Sequence, residues 1–397
     1  MKKTIIIFLL LTWLNTTFAQ TITWTPMASL TEGYRNGEAV VLNNKIYFVA
    51  GCNNSTFTRF FYVFDPVLNI WTKLADLPGP TMNLALASVN GKIYAIGGDS
   101  FRNTNYEYNP LTNSWLIRSQ MPTSRQHIDC GVYEDNIYVI GGLTSWTAIT
   151  KKNEVYDPAT NVWSEKCQIP SLRNNPAIVT VDSLIYVIGG GGNDTNIWTN
   201  IATVECYNVK SDTWVQKADL PYTLFKPGAV VVNNKILVLG GVTTLNGLDV
   251  CTNKILLYND ISDEWTEITP LPEVNIFFGC VSIENKIYVI AGQYGLPPSY
   301  GLYATVYEGE FNFTNIKEHD QKKIELYPNP AQGKITIKNL DCKDEIIYKL
   351  IDINGHISKQ GKVNNSSINI SDLHSGLYSL VLEKNNCQLF QEKFVVE

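Results

Sequence analysis

Twelve residues after each of six tryptophans (Trp24, Trp71, Trp115, Trp163, Trp214, Trp265) stand Asn36, Asn83, His127, Asn175, Lys226 and Phe277. Carboxamides, an imidazole and an ammonium at one repeated place supply the directional donors and acceptors that a hydroxyl-rich ligand needs. Arg35 lies one residue earlier in its repeat, Arg125 and Arg173 two earlier, and Glu38 and Asp129 two later. Trp146 and Trp198 fall outside the tryptophan repeat, in variable segments, and add flat apolar faces. Aromatic stacking beside Asn, Arg and Asp is the composition of a sugar site. The expected ligand set is therefore Arg35, Asn36, Asn83, Arg125, His127, Trp146, Arg173, Asn175, Trp198 and Lys226, with a groove across the third and fourth repeats. The same residues also suit plain loop polarity, and the two tryptophans also suit packing on loop backbone. For proton transfer to and from a bound ring, Glu38, His127 and Asp129 are the candidates, with Asp129 and His127 expected on one strand face.

Other chemistries lack residues. The chain holds four histidines, of which His319, His356 and His374 lie beyond the repeats, leaving His127 alone among them. One imidazole cannot supply the two histidine ligands of a copper site, and Ser–His–Asp catalysis would have to rest on that same single histidine. No metal-protease, phosphate-loop or calcium-loop spacing occurs, so neither a metal nor another cofactor is expected. With 37 acidic residues and no basic run, the chain offers no electrostatic footprint for nucleic acid.

What positions these residues is the repeat itself. From each of the six tryptophans to a glycine (Gly51, Gly98, Gly142, Gly190, Gly241, Gly292) the offset is always 27, whereas glycine to the next tryptophan runs 20, 17, 21, 24 and 24. A fixed span beside an elastic one marks one folded unit with one variable loop, and repeats of about 40–50 residues mark propeller blades. In the fifth unit, runs at 228–232, 235–239, 254–258 and 264–268 read as four short antiparallel strands, with Asn233-Asn234 as a tight turn. An aromatic seven residues before each internal tryptophan (Phe64, Tyr108, Tyr156, Tyr207, Tyr258) is expected to pack blade on blade with its polar tip outward. The last unit lacks a fourth strand and Trp24 lacks three, so residues near Ile22 to Met27 are expected to close a ring of six blades, removing open sheet edges.

The double glycine, the Tyr-Asp-Pro-like third strand and the tryptophan after it resemble the kelch family, over about residues 22–312. Asn-Pro-Leu-Thr-Asn-Ser-Trp (109–115) and Asp-Pro-Ala-Thr-Asn-Val-Trp (157–163) carry the resemblance most closely. It implies an all-β, six-bladed kelch-type β-propeller, and Arg125 and Arg173 match a common kelch repeat position. Kelch-like propellers include copper oxidases, sugar mutarotases or epimerases, and binding modules, so the fold leaves the function open. The expectation is a monomeric, non-catalytic recognition module for an extracellular glycan or protein. The alternative is a sugar mutarotase or epimerase of the sialic-acid type.

The ends of the chain carry addresses. Met1-Lys2-Lys3, an apolar run from Ile5 to Leu14 and Thr17-Phe18-Ala19 read as a signal peptide, cleaved between Ala19 and Gln20. Its removal leaves 29 basic and 37 acidic residues, a charge of −8. No later apolar run reaches membrane-spanning length. After Phe313 the periodicity stops. Tyr327-Pro328-Asn329-Pro330, Asp352-Ile353-Asn354-Gly355, Ile370-Ser371-Asp372-Leu373 and Ser375-Gly376-Leu377-Tyr378 resemble the type IX secretion C-terminal sorting domain, which implies a small β-sandwich and the type IX machinery as a partner. The expected organisation is a leader (1–19), propeller (20–312), linker (313–323) and sorting domain (324–397), in a secreted or cell-surface protein. Eight cysteines form no dense framework; Cys342 with Cys387 is the pair one small domain could close, and Cys130 with Cys280 should lie across the ring, unpaired.

Overall fold

A computed structural model describes residues 21–312, apart from 50, 55 and 193–197, and residues 325–396, apart from 339–345, 353–356, 364–365 and 385–386. The expected leader with Ala19 and Gln20, the expected linker 313–323, most of the turn at 352–355, Cys342 and the side chain of Cys387 lie outside the described residues. The chain divides into two compact units, Met1–Phe313 and Thr314–Glu397.

The first unit is a propeller of six four-stranded antiparallel blades. Blade 4 shows the plan: Ala177–Val181, Leu184–Ile188, Val204–Asn208 and Thr213–Lys217, paired in that order from the axis outward. The second strand of each blade is almost wholly apolar because neighbouring blades cover both its faces. Ile185 and Val187, for example, pack with Tyr138 and Ile140 of blade 3. Blade 6 takes three strands from 279–312 and its outermost from Thr21–Met27, with Trp24 opposite Gly309 and Thr21 opposite Asn312. The N-terminal strand therefore closes the ring.

Each outer strand is stapled to the blade before it. The indoles of Trp71, Trp115, Trp163, Trp214 and Trp265 donate at 2.8–2.9 Å to the carbonyls of Ala28, Ala75, Ser119, Cys167 and Ala218. The N–H groups of those same five residues donate back to Asn69, Asn113, Asn161, Asp212 and Asp263, two residues before each tryptophan. These Asn and Asp residues sit in the left-handed region, φ 47–60°, which short polar side chains tolerate. Tyr108, Tyr156, Tyr207 and Tyr258 give their hydroxyls to the last four of these acceptors. The polar tips of the repeat aromatics thus find hydrogen-bonding partners within and between blades. A buried N–H or O–H needs a partner, and the adjoining blade edge has one.

At the glycine pair the chain leaves the second strand beside the loop that enters the blade. Gly190 has φ +95°, and an added Cβ would stand 2.6 Å from the Asn174 carbonyl oxygen. The variable loops that follow form two-stranded hairpins in blades 1, 3, 5 and 6.

The second unit is a sandwich of a three-stranded sheet (Glu325–Tyr327, Lys334–Lys338, Ser367–Asn369) and a four-stranded one (Ile357–Lys362, Ile347–Ile351, Gly376–Lys384, Cys387–Val396). Ile335, Ile337, Leu350, Leu380 and Phe394 fill its core. The Tyr327–Pro330 segment fastens the last strand: Asn329 Oδ1 accepts the Val395 N–H at 3.0 Å, and Ala331 N–H donates to the Val395 carbonyl. Gly376 opens the strand opposite Val396, and Tyr378 donates to the His374 carbonyl at 3.1 Å.

Candidate functional site

The residues twelve after each tryptophan form a collar around the propeller axis. Backbone N–H groups hand round the ring: Asn36 to Phe277, Asn83 to Asn36, His127 to Asn83, Asn175 to His127, and Lys226 to Asn175, at 2.8–3.3 Å. All six residues have φ between 45° and 59°. The residue before each clamps the exit of its own blade's second strand, as in the bridges Arg35–Cys52 and Asn174–Gly191. The collar is therefore fixed backbone, and its side chains project from a rigid ring.

Four of those side chains connect. Lys226, in blade 5, reaches to the opposite side of the ring and donates from Nζ to Asn83 Oδ1 of blade 2 at 2.8 Å. His127 stands between two carboxamides: Asn175 Nδ2 contacts its Nδ1, and Asn83 Nδ2 lies 3.4 Å from its Nε2. The Asn175 amide is oriented by its donation to Asn174 Oδ1, and Asn174 in turn donates to the Gly191 carbonyl. Both carboxamides present N–H donors, and a neutral ring, with one bare nitrogen, accepts from only one of them, Asn175 making the shorter contact. Trp198, 43% exposed, packs edge-on against His127 at 5.9 Å and against Phe225 at 6.3 Å.

Burial, and secondarily the Lys226 ammonium, push the His127 pKa down to about 3 from an ordinary 6.5. The unfolded chain then takes up the proton first. Stability linked to this residue is full above about pH 6.5 and falls as the pH drops toward about 3, by up to ~1.4 kcal/mol per pH unit. His127→Gln is expected to flatten that fall in denaturant titrations between pH 6.5 and 4; identical slopes for parent and variant would refute it.

The other expected site residues part company with the collar. Arg125 and Arg173 are fully buried. Arg125 donates to Glu154 at 2.7 Å and to the Gly141 carbonyl, and Arg173 to Glu205 at 2.6 Å and to the Gly189 and Thr203 carbonyls. They secure the glycine pair of their own blades and present nothing to a ligand at the mouth. Arg35 turns toward blade 6, donating to Gln293 at 2.9 Å and lying 5.1 Å over the Tyr300 ring. Asn36 stays in the collar, 3.6 Å from Met82 Sδ. Trp146, 57% exposed, packs on Phe101 of blade 2 at 5.3 Å, away from the partners of Trp198.

Glu38 and Asp129 lie below the collar, lining a cavity of about 150 Å³ with Cys130, Asn175, Lys226 and Cys280. They do not share a strand face with His127, because its left-handed backbone breaks the alternation and the strand begins only at Asp129. Both carboxyls are pushed up, Glu38 by burial and then by Asp129, Asp129 by burial. Burial drives Lys226 down against the opposing pull of the two acids. Sequence reasoning missed Phe225, Asn174, Cys130 and Cys280 here. The column fourteen after each tryptophan reads Glu38, Ala85, Asp129, Ala177, Gly228, Gly279, and those four small residues were the available sign of a cavity. Cys130 and Cys280 are free thiols, each donating to a neighbouring carbonyl at 3.6 Å.

A propeller with a polar collar, an aromatic loop face and a terminal sandwich defines a class, and comparison with known proteins identifies it. The chain belongs to the kelch-repeat family: the KLHDC2/KLHL20/DRC7 Kelch-repeats domain matches residues 36–241 and 83–292. Residues 325–397 match the secretion system C-terminal sorting domain, which assigns the protein to type IX export and to the cell surface or the medium. It is 33% identical over 94 residues to human Kelch repeat and BTB domain-containing protein 12 (22% of this chain, 15% of the relative). To beta-scruin of Limulus polyphemus it is 35% identical over 107 residues (26% of this chain, 11% of the relative). The chain thus spans a small part of the length of these curated relatives. The solved structure of YjhT shares the fold, with a TM-score of 0.60 at 17% identity, covering 70% of this chain and 99% of that one. Among the described residues no helix is long and apolar enough to cross a membrane.

Proposed function

We propose that this exported kelch propeller recognises an extracellular glycan on its loop face, without catalysis, after removal of a leader at Ala19–Gln20. The observation that carries the reading is Trp198, a half-exposed indole packed against a neutral, amide-held imidazole. It offers a stacking face beside His127, which the Asn83 and Asn175 carboxamides flank in fixed positions. Two aromatic pairs, Phe101–Trp146 and Trp198–Phe225, span the loops of blades 2 to 5 and suit an extended saccharide. The N-terminal strand starts, and the third strand of blade 6 ends, at the paired residues Thr21 and Asn312, on the side of the ring opposite the collar. A glycan-array screen of the mature chain is expected to give hits whose affinity drops about tenfold, ~1.4 kcal/mol, in Trp198→Ala. Unchanged binding in that variant overturns the assignment, and hits confined to protein ligands transfer the face to a protein partner.

The mutarotase or epimerase reading has one observation in its favour: Glu38 and Asp129 face a single cavity. Against it, 150 Å³ is below the roughly 300 Å³ at which ligand pockets begin, and the carboxyls lie under the backbone collar.

A further inference from the structure

Below the collar, three charged groups from alternate blades face one cavity: Glu38 of blade 1, Asp129 of blade 3 and Lys226 of blade 5. Among the described residues neither carboxylate makes an ion pair within 4.0 Å. Asp129 accepts the N–H groups of Cys130 and Ile178 at 2.7 and 2.8 Å, while Glu38 has one long contact, from Ala39 N–H at 3.4 Å. Lys226 spends one donor on Asn83 and retains two. Asn175, which lines the same cavity, is 4% exposed, and its Oδ1 has no hydrogen-bond partner. Burying two carboxyls without an ion pair and an amide oxygen without a donor is costly, so a cavity that holds them apart from the available ammonium is built for something between them.

We propose that this cavity binds a small zwitterion, an amino acid of about six non-hydrogen atoms, as an engineered cavity of like volume binds benzene. The ligand's ammonium sits against Glu38, Asp129 and Asn175 Oδ1, and its carboxylate takes the spare donors of Lys226. A simple cation meets Lys226 and a simple anion meets two carboxylates, so both charges are required. A hexose, with twelve non-hydrogen atoms, is too large, which separates this site from the glycan face.

The test is calorimetric titration of the full mature chain with glycine, alanine and β-alanine, with ethylammonium and propionate as single-charge controls. Saturable one-to-one binding of at least one amino acid, with both controls at least tenfold weaker, is expected. Glu38→Gln and Lys226→Met, each checked for an unchanged melting profile, are expected to weaken it at least tenfold. Absence of saturable binding by all three amino acids overturns the proposal. So does a control that binds equally well, or a folded Glu38→Gln variant that binds like the parent. The ligand series needs no variant, so misfolding of a substituted chain leaves the proposal open to refutation. Amino-acid binding and glycan binding are separate readouts, and either can fail alone.

Discussion

Arg173→Met is expected to destabilise the propeller by about 3–5 kcal/mol, the cost of stripping one partner from a buried ion pair. Glu205, 4% exposed, would keep only the Ser171 hydroxyl, and the Gly189 and Thr203 carbonyls would lose their donor. At roughly 2 °C per kcal/mol for a domain of this size, the midpoint should fall by about 6–10 °C. The double variant Arg173→Met/Glu205→Leu should recover most of the loss, because the uncompensated charge goes with its partner. Calorimetry of the three chains decides it: equal losses in the single and double variants would mean that the guanidinium's carbonyl contacts, not the ion pair, hold this corner.

Removal of the closing strand Thr21–Met27 is expected to have the largest effect of all. Seven residue pairings with Val306–Asn312 disappear, Ile22 leaves the core between blades 5 and 6, and an outer strand edge opens to solvent. Losing a buried isoleucine alone costs about 2–5 kcal/mol, and the total should approach the whole stability of an ordinary domain, about 5–15 kcal/mol. A chain starting at Ala28 is expected to aggregate or to melt without a cooperative transition, since the exposed edge is a template for pairing. A sharp transition at the parental midpoint would show that the ring closes without it.

Blade number, strand order and the closing strand were legible because they follow from a spacing that tolerates no insertion. The tryptophan-to-glycine interval of 27 spans the end of one blade's outer strand, the connection that carries the collar residue, and the next blade's first two strands with their tight turn. The collar was legible as a column, yet the roles along it were not. Arg125 and Arg173 read as mouth residues because position alone does not say which way a side chain points. Burial against Glu154 and Glu205, about 30 residues on, depends on a contact between strands. His127 and Asp129 read as neighbours on one face because alternation was carried through a residue whose φ of 56° ends it. The aromatic pairing of Trp198 with His127 joins the loop of blade 4 to the collar residue of blade 3, a meeting no local pattern encodes.

The central claim is that the loop face binds a glycan and does no chemistry on it. NMR of a glycan-array hit, with the mature protein present, follows the anomeric and ring protons while the sugar binds. Line broadening or transferred effects that vanish in Trp198→Ala, with anomer exchange and ring-proton exchange at the rates of the free sugar, is the predicted result. Accelerated exchange that Glu38→Gln or Asp129→Asn abolishes would contradict it, and would make the cavity beneath the collar an active site.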